Sequence, residues 1–307
     1  MNVTIATRGS ELALWQANHI KGLIESRHPN VNILLNIIKT TGDKILDVPL
    51  AKIGGKGLFV KEIEEALLTG EADIAVHSMK DVPVALPQGL ELYVNPKAEE
   101  PNDAVLSVKY NRINELPKGA VVGTSSLRRK LQLTRIRSDL EIMDLRGNVN
   151  TRIRKLTEGT YDAVILAKAG LKRLGLTRYI KETLPVNVMI PAVCQGVLGI
   201  EVRKNDNACK KLLDFLNDKE TSVRVAAERA FLKTLEGGCQ APIACHAVLT
   251  ADTLRVNGYL STLDGSCVYN ETITGRTENA AELGISLAKR ILDAGGAQVL
   301  REIYGGL

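Results

Sequence analysis

The chain has 307 residues, more than one hydrophobic core usually holds, so its length predicts two or three domains. Apolar residues make up 45% of it and aromatics only 4%, which calls for aliphatic cores of the kind found in layered α/β folds with parallel strands. The net charge of +5, from 40 basic and 35 acidic residues, is mild, and five irregularly spaced cysteines in so long a chain exclude a disulfide-stapled scaffold.

The opening "MNVTIATRGS" enters a strand pattern directly, at "VTIAT" (3 to 7), with no basic leader and apolar signal core. A helix follows whose Ala13, Ala17, Ile20 and Ile24 fall on one face, then the strand "VNILLNIIKT" (31 to 40), which makes a β-α-β unit. "IEEALLTG" (63 to 70) reads as a helix ending at glycine, before the buried strand "ADIAVHS" (72 to 78). After a polar, proline-rich hinge at 95 to 102 the pattern restarts. "DAVLSV", "AVVGTSS", a helix from Leu127 to about Arg137, "LEIMDLRG", a helix from Val149 to about Thr157 and "YDAVILA" follow in turn. A second break lies near Pro185 to Pro191. From residue 219 the character changes to a helix, strand runs joined by Asp-containing and Gly-containing turns, and an amphipathic helix from Ala280 to about Leu292, an α+β pattern with hairpins. No run reaches the roughly 18 apolar residues of a membrane span. With five cysteines suited to a reducing compartment, a cytoplasmic protein is expected.

One device recurs where a strand gives way to a helix. "ATRGSELAL" places Arg8 and Ser10 at the first such junction, "GTSSLRRKL" places Ser125, Ser126, Arg128 and Arg129 at the next, and "LRGNVNTRIRKL" places Arg146, Asn148 and Arg152 at a third. Free N–H groups and the helix dipole favour negative charge there, Ser and Asn cap, and Arg offers a fork to a carboxylate or phosphate. Simple capping beside a surface arginine explains any single junction; three together point to an anionic ligand. Between Thr124 and Lys155 nine Lys or Arg stand against three acidic residues, which fits a crevice at the carboxyl ends of parallel strands.

"LAKIGGKGLF" (50 to 59) fails as a phosphate loop, because Leu50 stands where a glycine is needed and Gly57 where a Ser or Thr should bind magnesium. Its Lys52, Lys56 and Phe59 suit a lid over an anionic ligand, or else a plain connector. In "AVHSMKDVPVALP" Lys80 and Asp81 lie just beyond a buried strand, and Asp81 is either a turn former or a carboxylate facing the crevice, able to steady a cation or handle a proton. His77 reads as a packed polar residue. Cys239, in "LEGGCQAPIACH", sits among glycines that permit close approach of a bulky group, while C-x5-C-H lacks a second ligand pair for zinc, so no metal is expected. Cys245 and Cys267 read as small buried hydrophobes.

Taken in order, "RGSELALWQA", "GGKGLFVKEIE", "DIAVHSMKDVP", "GTSSLRRKLQL", "LRGNVNTRIRKL", "AGLKRLGL", "PAVCQGVLGIE" and "LEGGCQAPI" resemble the motifs of the porphobilinogen deaminase family. The resemblance implies a transferase of heme and tetrapyrrole biosynthesis. Four porphobilinogen units would be condensed head to tail, each losing ammonia, onto a dipyrromethane held by Cys239 through a thioether, and hydrolysis would release hydroxymethylbilane. Asp81 would be catalytic. Lys80, Ser126, Arg128, Arg129 and Arg146 would hold the cofactor; Arg8, Ser10, Arg152 and Arg173 would hold substrate carboxylates, each contact worth about 1.5 to 3 kcal/mol. The implied fold has two domains resembling the halves of type II periplasmic binding proteins, spanning 1 to 96 plus 191 to 214 and 102 to 190, and a small α/β domain with an antiparallel sheet, 219 to 307. A monomer with porphobilinogen as its partner, and neither nucleic acid nor membrane, is expected: few aromatics stack on bases and the arginines sit at helix starts. A solute-binding protein is the rival, but it needs neither Cys239 nor a third domain. Cys194, in "PAVCQG", departs from the family pattern, where a glycine or alanine is expected, and leaves open a second oxidisable thiol.

Overall fold

The computed structural model describes residues 1 to 44, 57 to 237 and 241 to 305. In chain order, β1 (Asn2–Arg8) leads to α1 (Glu11–Arg27), which starts where the Ser10 hydroxyl accepts the Ala13 N–H and buries Ala17, Ile20 and Ile24. β2 (Asn32–Ile38) and a single helical turn, Thr41–Lys44, follow. α2 (Lys61–Thr69) stops at Gly70, whose φ of 79° turns the chain into β3 (Ile74–Ser78), as the glycine predicts. Next come β4 (Leu90–Val94), β5 (Asp103–Leu106), β6 (Val121–Gly123), α3 (Leu127–Ile136), β7 (Glu141–Met143), α4 (Val149–Thr157), β8 (Ala163–Ala167), α5 (Lys168–Arg173) and β9 (Ile180–Thr183). β10 (Leu198–Arg203), α6 (Asn207–Leu213) and α7 (Lys219–Thr234) precede the hairpins of β11 (Ile243–Thr250), β12 (Thr253–Ser261) and β13 (Val268–Arg276). α8 (Ala280–Ile291) and α9 (Ala297–Gly305) end the described chain.

These elements fall into two compact units, residues 1 to 99 with 197 to 222, and 100 to 196 with 223 to 307. The first unit holds a five-stranded sheet in the order β2-β1-β3-β10-β4, in which β1 runs parallel to β2 and β3 while β10 runs antiparallel to β3 and β4. The second holds a sheet built to the same plan, β7-β6-β8-β5-β9, with β5 as its antiparallel fourth strand. Aliphatic clusters cover both faces of each sheet, as the low aromatic content predicts. Ile5's neighbours Ile20, Ile24, Ile33 and Ile74 pack on one side of the first sheet and Ile63, Ala66 and Leu67 on the other.

The second unit also carries a three-stranded antiparallel sheet, β11-β12-β13, the expected α+β part of the chain. α7 and α8 cross so closely there that a Cβ at Gly284 would lie 2.1 Å from the Ala227 carbonyl oxygen, so only glycine fits. Phe231 of α7, fully buried, fills the space left by Gly258 on β12.

Candidate active site

A pocket in the first unit gathers residues of the first junction and of the turn after β3. Arg8 closes β1, Ser10 caps α1, and Asp81 ends the single 3-10 turn, Met79–Asp81, that follows β3; these three line one concavity with Gln16, Phe59, His77 and Ser78. Asp81 is exposed at its edge, so the turn former of the sequence also presents a carboxylate beside an arginine and a capping hydroxyl. Lys80, next to it, is half-buried. Such a carboxylate can hydrogen-bond N–H donors and stabilise a cation that forms within reach.

Arg8 is engaged. Its Nε donates to both Asp43 carboxylate oxygens at 3.2 Å, its Nη2 also contacts Oδ1, and its guanidinium lies 4.3 Å from the centroid of the Phe59 ring. Burial works to raise the Asp43 pKa, but hydrogen bonds from Arg8 and Thr40 outweigh it and hold the carboxyl below its ordinary value. Behind the pocket His77 is buried, as expected for a packed polar residue, and its Nε2 lies 2.9 Å from Glu201 Oε2 on β10. Glu64 of α2, also buried, is pushed up to about 7 by burial and by the Glu201 charge, against the opposing pull of His77. Gln16 donates to the Ser78 hydroxyl at 2.8 Å and so ties α1 to the end of β3.

The second unit carries the other two junctions. Ser126 caps α3, accepting the Arg129 N–H, and Ser125 donates to the Leu145 carbonyl at 2.9 Å. Arg128 and Arg129 are both buried and both turn to Asp103 on β5. Arg128 Nη1 reaches Oδ2 at 2.7 Å and Arg129 Nη2 reaches Oδ1 at 2.7 Å, and the carbonyls of Ile190 and Ile165 accept further bonds. Burial alone would raise the Asp103 pKa; the two guanidinium groups hold it well below the usual carboxylate range. Two arginines against one carboxylate leave the cluster one positive charge in excess. At the third junction Arg146 is half-buried, Asn148 caps α4 by accepting the Thr151 N–H at 2.9 Å, and Arg152 Nε donates to the Gly147 carbonyl at 2.8 Å. Gly147 has φ 108°, and a Cβ there would lie 2.7 Å from Thr151, so this turn also requires glycine. Arg173 is buried and donates to the Gly196 carbonyl at 2.7 Å.

Lys52, Lys56 and Cys239 lie outside the described residues. The other cysteines separate cleanly. Cys245 is buried as expected, whereas Cys267 is exposed, because it sits in the turn before β13 and not within the strand. Cys194 is no oxidisable surface thiol: it is 2% exposed, and burial together with the Glu228 charge raises its pKa well above the ordinary value. Its φ of 57° lies in the left-handed region that favours glycine, one of the two residues expected there. Among the described residues no helix is long and apolar enough to cross a membrane.

Two family models match the chain. "Porphobilinogen deaminase, dipyromethane cofactor binding domain" covers residues 3–211 and "Porphobilinogen deaminase, C-terminal domain" covers 222–293. The chain belongs to the porphobilinogen deaminase family. The porphobilinogen deaminase of Nitratidesulfovibrio vulgaris (strain DP4) is 56% identical over 305 residues, 99% of this chain and 97% of that one. That of Trichlorobacter lovleyi is 55% identical over 300 residues, 98% and 96% of the two chains. Among solved structures, a putative methionine-binding lipoprotein from Bacillus subtilis aligns with 72% of this chain and 92% of its own, at 13% identity and a TM-score of 0.45, too remote to bear on the chemistry of the site. As a member of the porphobilinogen deaminase family the protein is a transferase that polymerises porphobilinogen in tetrapyrrole biosynthesis.

Proposed function

We propose that the protein condenses four porphobilinogen molecules onto a dipyrromethane attached through Cys239 and releases hydroxymethylbilane by hydrolysis, acting as a cytoplasmic monomer of three domains. The observation that carries this reading is the pocket that sets the exposed carboxylate of Asp81 beside Arg8 and Ser10. The donor set fits a polyanionic oligopyrrole: Arg146, Ser126 and the excess positive charge of the Arg128, Arg129 and Asp103 cluster are suited to its acetate and propionate groups. When bound, the dipyrromethane supplies the free pyrrole position onto which units are added.

The chain's own residues do the rest. Arg8 and Ser10 hold the carboxylates of incoming porphobilinogen, with Arg152 and Arg173 serving the lengthening product. Asp81 accepts hydrogen bonds from the pyrrole N–H and faces the positive charge that develops on porphobilinogen as ammonia departs, which lowers the barrier to that step. It also takes up the proton that each new carbon–carbon bond releases. Lys80 assists as a neighbouring cation, and Phe59, whose ring covers the Arg8 guanidinium, is suited to a lid over the bound ligand.

The test is the intact mass of the protein and of Cys239→Ala, before and after incubation with porphobilinogen. An increment of two condensed pyrrole units, present in the first and missing from the second, is expected; no adduct on either after incubation refutes Cys239 as the attachment point. Asp81→Asn is expected to keep the fold and slow ammonia release by about 10² to 10⁴-fold, the usual scale for a positioned acid–base group. Near-normal release by that variant removes Asp81 from its role.

A further inference from the structure

Arg8 enters the pocket with its fork already filled. Asp43 meets the guanidinium side-on, through Nε and Nη2, as an external carboxylate would. It is itself held from behind: Thr40, fully buried, donates its hydroxyl to Asp43 Oδ2 at 2.8 Å and its N–H to the same oxygen at 3.3 Å. The Phe59 ring covers the guanidinium, and a Cβ at Gly42 would lie 2.3 Å from that ring, so arginine, ring and turn form one packed stack. Both charged side chains are about three-quarters covered, 25% and 23% exposed.

We infer that Asp43 is an internal stand-in for a ligand carboxylate, occupying the Arg8 fork until a carboxylate of incoming porphobilinogen displaces it. The inference rests on the reading of Arg8 as a substrate-carboxylate site. Its consequence is selectivity. A tethered carboxylate in bidentate contact competes at high effective concentration, so a small anion that offers only its charge gains little by replacing it. A ligand with two carboxylates and a ring that reaches Ser10 and Asp81 gains contacts elsewhere that the small anion cannot make. Asp43 thereby sets the threshold for anions that Arg8 admits.

Asp43→Asn keeps the shape and removes the charge. The expected result is a KM for porphobilinogen lowered by about 3- to 10-fold with kcat within about twofold of wild type, the scale of a partly covered ion pair. Inorganic phosphate, which needs no turnover to be read, is expected to raise the melting temperature of Asp43→Asn by more than that of the wild type, since the other arginine sites are common to both. Thr40→Val, which loosens the carboxylate without removing it, shifts KM in the same direction by less, and Asp43→Glu restores wild-type values. In an Arg8→Leu background the Asp43→Asn effect vanishes. If Arg8→Leu raises KM while Asp43→Asn leaves KM and the phosphate response unchanged, the stand-in role is wrong and the reading of Arg8 survives. If Arg8→Leu leaves KM unchanged, both fall.

Discussion

The two five-stranded sheets follow one plan, and in each the antiparallel fourth strand carries a fully buried carboxylate: Glu201 on β10 and Asp103 on β5. Their surroundings differ. Asp103 is clamped by two guanidinium groups and by Gln195 Nε2 at 3.0 Å, a set of partners that does not titrate in the physiological range. Glu201 has the His77 imidazole on one oxygen, no hydrogen-bond partner among the described residues on the other, and the raised carboxyl of Glu64 nearby. The same topological position is thus a carboxylate matched by two arginines in one unit and a carboxylate set between a histidine and the raised carboxyl of Glu64 in the other. Equivalent places in a repeated fold need not do equivalent work.

The largest effect that tests this difference is expected at Asp103. Asp103→Asn leaves two buried arginines without their counter-charge and should lower unfolding free energy by about 3 to 5 kcal/mol, read by urea denaturation. A loss under about 1 kcal/mol would mean that the arginines find other partners and the clamp is not fixed. Because the Asp103 pKa is depressed, its contribution is present above its unfolded value, about 3.9, and is lost only as pH falls below that.

A smaller effect of the opposite sign belongs to Glu64. Its folded value is raised to about 7, above an unfolded value of about 4.3, so the folded protein binds the extra proton between them. Stability is therefore fullest below the unfolded value and falls as pH climbs through this window, by up to about 1.4 kcal/mol per pH unit. Glu64→Gln should flatten that slope. Glu228, buried in the second unit and likewise raised to about 7, contributes a slope of the same sign, so the probe must be local. Trp15 on α1, the single tryptophan, reports the first unit alone. An unchanged Trp15-monitored slope in Glu64→Gln would place the titration elsewhere.

Much of this fold is written in local pattern. The one-face spacing of Ala17, Ile20 and Ile24, the Gly70 stop and the caps at Ser10, Ser126 and Asn148 all follow from short-range rules and are found where those rules put them. What local pattern does not reach is pairing across the sheet. "LRRKL" reads as two free arginines because Asp103, their counter-charge, lies about a strand and a loop earlier; the signal was an acid at the head of the apolar run "DAVL". Asp43 was equally hidden, being 35 residues from Arg8, and Gln16 is 62 from Ser78. Cys194 stands out in the sequence because a glycine or alanine is expected there, but its left-handed backbone is visible only in the structure.

The fourth place in the first sheet has a temporal meaning as well. β5 is made before the strands it joins, so the second sheet can close as soon as β9 has emerged. β10, in contrast, is translated some hundred residues after β3 and β4, the two strands it separates. At about 5 to 20 residues per second, synthesis leaves those two strands without their shared partner for roughly 5 to 20 seconds. The half of the molecule that begins first is the half that must wait, and the ribosome finishes the second sheet before the first.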